Sequence, residues 1–155
     1  MKTLIMLSAI PASGKSTWAK NFKNSRENAV ILNSDDIRME VTNGNYQDHS
    51  RQKEVWELFE RRIHEYAKQD DIILILDALN DTNEVRLKYL TTTPEFDKKI
   101  LVMFPSNYER SKKYNDFRQE ECRVPDDVLV GLVNKFEEPN DEVYENINEI
   151  MYIYW

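Results

Sequence analysis

Residues 3–17, TLIMLSAIPASGKST, carry an apolar run directly into a glycine–lysine–serine turn. Thr3–Ala9 is predicted as a buried β-strand. A loop through Ala12, Ser13 and Gly14 follows, and Lys15 and Ser16 open the first turn of a helix over Thr17–Phe22. A loop wrapped ahead of a helix N-terminus directs several backbone N–H groups at one point, which suits a nucleotide's phosphates. Lys15 then reaches the β and γ phosphates, and the Ser16 hydroxyl ligates Mg²⁺. The spacing departs from G-x-x-x-x-G-K-[ST] at Ala9, where a strand end does not need glycine's freedom. The plain alternative is a strand–turn–helix with an incidental Gly-Lys-Ser turn.

The chain of 155 residues fits one domain with one core, and 41% hydrophobic content argues against disorder. No apolar run approaches the roughly 20 residues of a membrane span, and the N-terminal stretch has no cleavage-site pattern. The single cysteine, Cys122, excludes an intramolecular disulfide and fits a reducing compartment, so a cytoplasmic location is expected. A net charge of −7 weighs against tight, nonspecific binding to duplex backbone. It leaves room for a strand end held by a few arginines in a cleft.

Further apolar runs follow at Ala29–Asn33, Asp71–Asp77, Lys99–Phe104 and Glu149–Tyr154. Helical patterns lie between them, at Ile37–Val41, Gln47–Lys68, Thr82–Leu90, Ser106–Tyr114 and Asp126–Phe136. The last is expected to turn Val128, Leu129, Leu132, Val133 and Phe136 inward. The continuous run DIILILD suits a strand covered on both faces. The alternation predicts an α/β fold with a mostly parallel five-stranded sheet and helices on both faces, in three layers. Ligands of such sheets sit at the carboxyl ends of the strands. That rule singles out Ser13–Ser16, Ser34–Asp36, Asp77–Asn80 and the segment leading to Arg118 and Arg123.

Asp35 and Asp36 follow the second run. Phosphoryl transfer to a hydroxyl needs a carboxylate beside the attacking oxygen, and the alternative is that both residues simply cap a short helix. Arg38 could grip a phosphate on the acceptor or pair with Asp35 itself. Asp77, ending an apolar strand, needs a partner: an outer contact to Mg²⁺, Arg38, or a turn. Cations from Arg110 to Arg123 could form a mobile lid over about residues 110–124, or a solvated charged helix. His49 and His64 lack partners at zinc-ligand spacing. Trp18 and Trp56 fall on helices and read as packing residues. Tyr152, Tyr154 and Trp155 could cover a sheet edge or meet a second copy.

Together these residues resemble the kinase domain of phage-type polynucleotide 5′-hydroxyl kinase and its P-loop kinase relatives. The resemblance spans nearly the whole chain: GKSTW at Gly14–Trp18, N-x-D-D-x-R at Asn33–Arg38 (the pair and arginine being Asp35, Asp36 and Arg38), D-A-x-N at Asp77–Asn80, Arg86, N-x-x-R at Asn115–Arg118, and R-V-P at Arg123–Pro125. It implies a P-loop kinase fold and an enzyme using ATP and Mg²⁺ to phosphorylate the 5′-hydroxyl of a DNA or RNA strand. By position, Asp35 becomes the general base, Lys15 and Arg118 act on the transferring phosphoryl, and Ala12 to Thr17 with Arg123 bind nucleotide. Arg38, Asp77, Asn80 and Arg86 bind the acceptor, Arg38 through its 3′ phosphate, and Ser16 and Asp35 serve the metal. Ala9, Ala12 and Leu79 depart from the family pattern, the last standing where a threonine is usual. No phosphatase module accompanies these residues, so 3′-phosphate removal is not expected. The rival readings are a kinase of the same fold with a small hydroxyl acceptor (nucleoside, nucleotide or antibiotic), and a nucleotide-binding regulator without turnover.

Overall fold

Runs that are apolar on every residue are stable only when both sheet faces are covered, and the chain supplies that cover. The structure, a computed structural model, describes residues 1–155. Five strands, β1 (Lys2–Ser8), β2 (Ala29–Asn33), β3 (Ile72–Asp77), β4 (Lys98–Met103) and β5 (Glu149–Tyr152), form one sheet in the order β2-β3-β1-β4-β5. Every pairing is parallel, so the expected mostly parallel sheet is wholly so.

Strand side chains alternate between two layers. Leu4, Met6, Leu74, Leu76, Leu101 and Met103 face one side, where they pack with residues of α2 (Ser34–Val41), α3 (Gln52–Tyr66), α4 (Asn83–Thr91) and α7 (Asp141–Glu145). Ile5, Leu7, Ile75 and Val102 face the other, against Ala19, Trp18 and Phe22 of α1 (Lys15–Asn24). Trp18 stacks on Phe22 at 5.3 Å, which confirms it as a packing residue. The two remaining helices, α5 (Tyr108–Asp116) and α6 (Asp126–Lys135), pack on each other.

The expected long helix from Gln47 instead starts at Gln52. Asn45 and Asp48 accept hydrogen bonds from the N–H groups of Gln47 and Ser50, so side chain–backbone turns displace the first helical turn. The fifth strand stops at Tyr152 and lies at the sheet edge with mostly exposed residues. Of the apolar face expected on α6, only Leu129 is fully buried. No helix is long and apolar enough to cross a membrane.

Candidate active site

The carboxyl ends of β1, β2 and β3 lie side by side, and the polar residues that follow them meet there. Gly14 caps α1 at φ 84°, with no side chain accepting from the first helical N–H groups and no acid in the first turn. Ala12 also adopts positive φ, at 57°. This backbone leaves the helix-start donors open to an anion. The loop lines a cleft of about 440 Å³ with Ala12, Ser13, Gly14, Lys15, Ser16 and Thr17 on one side, and Tyr114, Arg118 and Trp155 completing it. The Ser13 hydroxyl is buried there without a partner.

Beneath the loop, Asp77 takes a different place from the acceptor-side position expected. Its Oδ2 accepts from Ser16 Oγ at 2.9 Å and from Asn33 Nδ2 at 2.8 Å, and Oδ1 lies 3.4 Å from Lys15 Nζ. The parallel register sets Asn33 opposite Asp77, and the strand pair delivers the contact. Arg38 pairs with Asp35 and Gln52, so the expected Asp77–Arg38 contact is absent. The buried Oδ1, with no hydrogen-bond donor of its own, together with the Ser16 hydroxyl, suits a hydrated divalent cation. Asp77, not Asp35, is the carboxylate beside the Ser16 hydroxyl.

A second cleft of about 880 Å³ adjoins the first, and Lys15 and Arg118 line both. Its walls include Asp35, Arg38, Tyr46, Gln52, Trp56, Asn80 and Tyr89. Asp35 Oδ1 accepts from Arg38 Nη1 at 2.5 Å, and Oδ2 from the Tyr46 hydroxyl at 3.0 Å. Arg38 Nη2 donates to Gln52 at 3.0 Å, and its buried Nε has no partner. The Arg38–Asp35 pair weighed as an alternative is thus present, and Arg38 still lines the cleft. Burial and the Asp35 charge push the Tyr46 hydroxyl well above its ordinary range, so it stays a donor. Asp36 lines neither cleft and is exposed, its carboxyl raised by partial desolvation and then by the charges of Asp35 and Asp77. The adjacent acids divide as expected, one to the cleft and one to the helix start.

Two assignments move. Arg86 is fully buried and lines neither cleft. Its guanidinium donates to Ser8 Oγ, Asn83 Oδ1 and the carbonyls of Asn80, Asp81 and Glu137, fastening loops together rather than binding acceptor. Arg123 lines the larger cleft, not the phosphate cleft, because its Nε donates to the Arg118 carbonyl at 2.8 Å and turns it to that side. Asn115 donates to the Val124 carbonyl and accepts from the Val124 N–H, closing the 118–124 loop. Tyr46 and Gln52 escaped sequence reasoning, each a lone polar residue without periodic signal; Asn33 entered it only as part of the N-x-D-D motif, with no role given. Trp56 packs on Phe59 as expected but also lines the larger cleft.

Comparison with known proteins gives a consistent picture. The family model described as chromatin associated protein KTI12 matches residues 2–144. The Kti12 structure from Chaetomium thermophilum in complex with ADP-AlF3 superposes with a TM-score of 0.75 at 17% identity, over 98% of this chain and 89% of that one. A chain of the Pnkp1/Rnl/Hen1 RNA repair complex gives a TM-score of 0.76 at 23% identity, over 95% of this chain and 46% of that one. At these identities the likeness establishes the fold, a P-loop kinase fold. The DNA mismatch repair protein MutS of Staphylococcus carnosus is 31% identical over 108 residues, which is 67% of this chain but 12% of that protein.

Proposed function

Given that the chain belongs to the KTI12 family, we propose that it is a Mg²⁺-dependent nucleoside-triphosphate phosphotransferase whose acceptor is the 5′-hydroxyl of a DNA or RNA strand. The observation that carries this reading is the sharing of Lys15 and Arg118 between the loop cleft and the cleft of Asp35. A phosphoryl group passing between the clefts would be held by both cations throughout. The larger cleft presents Lys15, Arg38, Lys88, Arg118, Arg123 and Lys135 against the carboxylates of Asp35 and Asp81. An acidic protein thus has a locally cationic groove, and its aromatic walls at Tyr46, Trp56 and Tyr89 suit a base-bearing acceptor.

Arg38 and Tyr46 fix the Asp35 carboxylate, and each oxygen keeps a lone-pair site for the acceptor hydroxyl. Asp35 accepts the hydroxyl proton as the new O–P bond forms and the bond to the β–γ bridging oxygen breaks, releasing ADP. Lys15 and Arg118 stabilise the equatorial charge. Ser16 and Asp77 would hold the metal ion, which would screen the charge of the β and γ phosphates. Labelled ATP supplied with a 5′-hydroxyl oligonucleotide, a 3′-nucleoside monophosphate and a plain nucleoside tests the reading. Label should enter the first two, and label in the nucleoside alone would end it. Asp35→Asn should lower transfer by about 10²- to 10⁴-fold while leaving nucleotide affinity in place, checked by single-turnover assay and calorimetry.

The occupied Asp35 favours a second reading. If Arg38 and Tyr46 never release the carboxylate to an acceptor, the site hydrolyses nucleotide as a switch. Phosphate release would then be the same with and without oligonucleotide.

A further inference from the structure

The loop cleft extends past the phosphate donors to two aromatic rings. Tyr114 on α5 and Trp155 lie with centroids 6.2 Å apart and planes inclined by 30°. The Trp155 indole N–H donates to the Pro105 carbonyl at 3.1 Å, and its ring leans on the smaller core layer, so its orientation is set. Tyr114 stands 44% exposed. The exposed Tyr114 ring, stacked on a fixed Trp155 at the rim of the phosphate-loop cleft, offers a flat apolar face to a planar ligand. Tyr114 also sits four residues before Arg118, which joins the rim to the cation shared by both clefts.

We infer that Tyr114 and Trp155 form the platform for the base of the nucleotide whose phosphates the loop holds. The inference rests on the phosphate-binding reading of residues 12–17. At about 440 Å³ the cleft falls in the range of roughly 300–1,000 Å³ that accommodates an organic ligand. The stack gives Trp155 a ligand role beside its packing on the smaller core layer.

Calorimetry of the full chain with Mg²⁺, comparing ATP with inorganic tripolyphosphate, separates the base from the phosphates. Trp155→Ala and Tyr114→Ala should each weaken ATP about tenfold, within the range of base–aromatic stacking, and leave tripolyphosphate affinity unchanged. Trp155→Phe should restore most of the loss. Should Trp155→Ala fail to fold, Tyr114→Ala carries the test, since its half-exposed ring leaves the core intact. ATP affinity that moves in neither alanine variant overturns the platform. So does an equal loss for ATP and tripolyphosphate, which would mark a structural role. Wild-type protein binding tripolyphosphate as tightly as ATP removes the base subsite alone. Binding of neither removes the phosphate site and the platform with it.

Discussion

Ala12 holds a methyl group in the left-handed region, at φ 57°, where an L side chain is strained and glycine is not. Ala12→Gly should therefore raise stability by about 0.5–1 kcal/mol, after glycine's greater unfolded freedom is subtracted, as read by urea denaturation. Gly14 is the converse case. A Cβ there would meet nothing within 4 Å, so Gly14→Ala carries backbone strain rather than a clash. Asp36 gives a pH signature. Its folded pKa is raised above 3.8 by burial and by Asp35 and Asp77, so the native state binds its proton more tightly than the unfolded chain. The sign follows from linkage: this residue's contribution to stability falls as pH rises from 3.8 through the folded value. Asp36→Asn should flatten that part of the profile, measured as thermal midpoint against pH. At this scale, Lys15 and Ser16 were legible because their spacing is tied to one local turn. The partner of Asp77 was not, since Ser16 is 61 residues away and only strand register brings them together.

Helix termini differ in how their first N–H groups are satisfied. Asn33, Thr82, Asn107 and Asn140 cap α2, α4, α5 and α7 by accepting backbone N–H groups; α1, α3 and α6 have no side-chain cap, and of these α1 starts at the phosphate-loop cleft. The start of α4 is also where Arg86 ties Ser8, the 80–81 turn and Glu137 to one guanidinium. Arg86→Met would leave several buried carbonyls unpaired and should cost at least about 3 kcal/mol. Urea denaturation would show a lower midpoint with an unchanged slope. A substrate ligand would instead raise KM at constant stability. Sequence marked Arg86 as notable, and its D-A-x-N neighbourhood pointed to acceptor; burial by residues far along the chain decides otherwise. The pentapeptide helix α7 escaped notice because five residues cannot display a helical period.

Across the whole molecule, occupancy of the loop cleft should appear as stability, because a ligand that binds only the folded state stabilises it. ATP with Mg²⁺ at a hundredfold excess over Kd should add about 2.7 kcal/mol, shifting the thermal midpoint by roughly 5–10 °C for a chain of this size. Chelation with EDTA should remove most of that shift if Ser16 and Asp77 hold the metal. Strand identity and layering were readable from uninterrupted apolar runs. The lateral order was not, because nothing in a run states which neighbour it will take. That order has a consequence for folding. The partners of β1 are β3 and β4, about 70 and 95 residues further along the chain. Both pairings are long-range contacts, so the centre of the sheet closes only after much of the intervening chain is ordered, which slows folding.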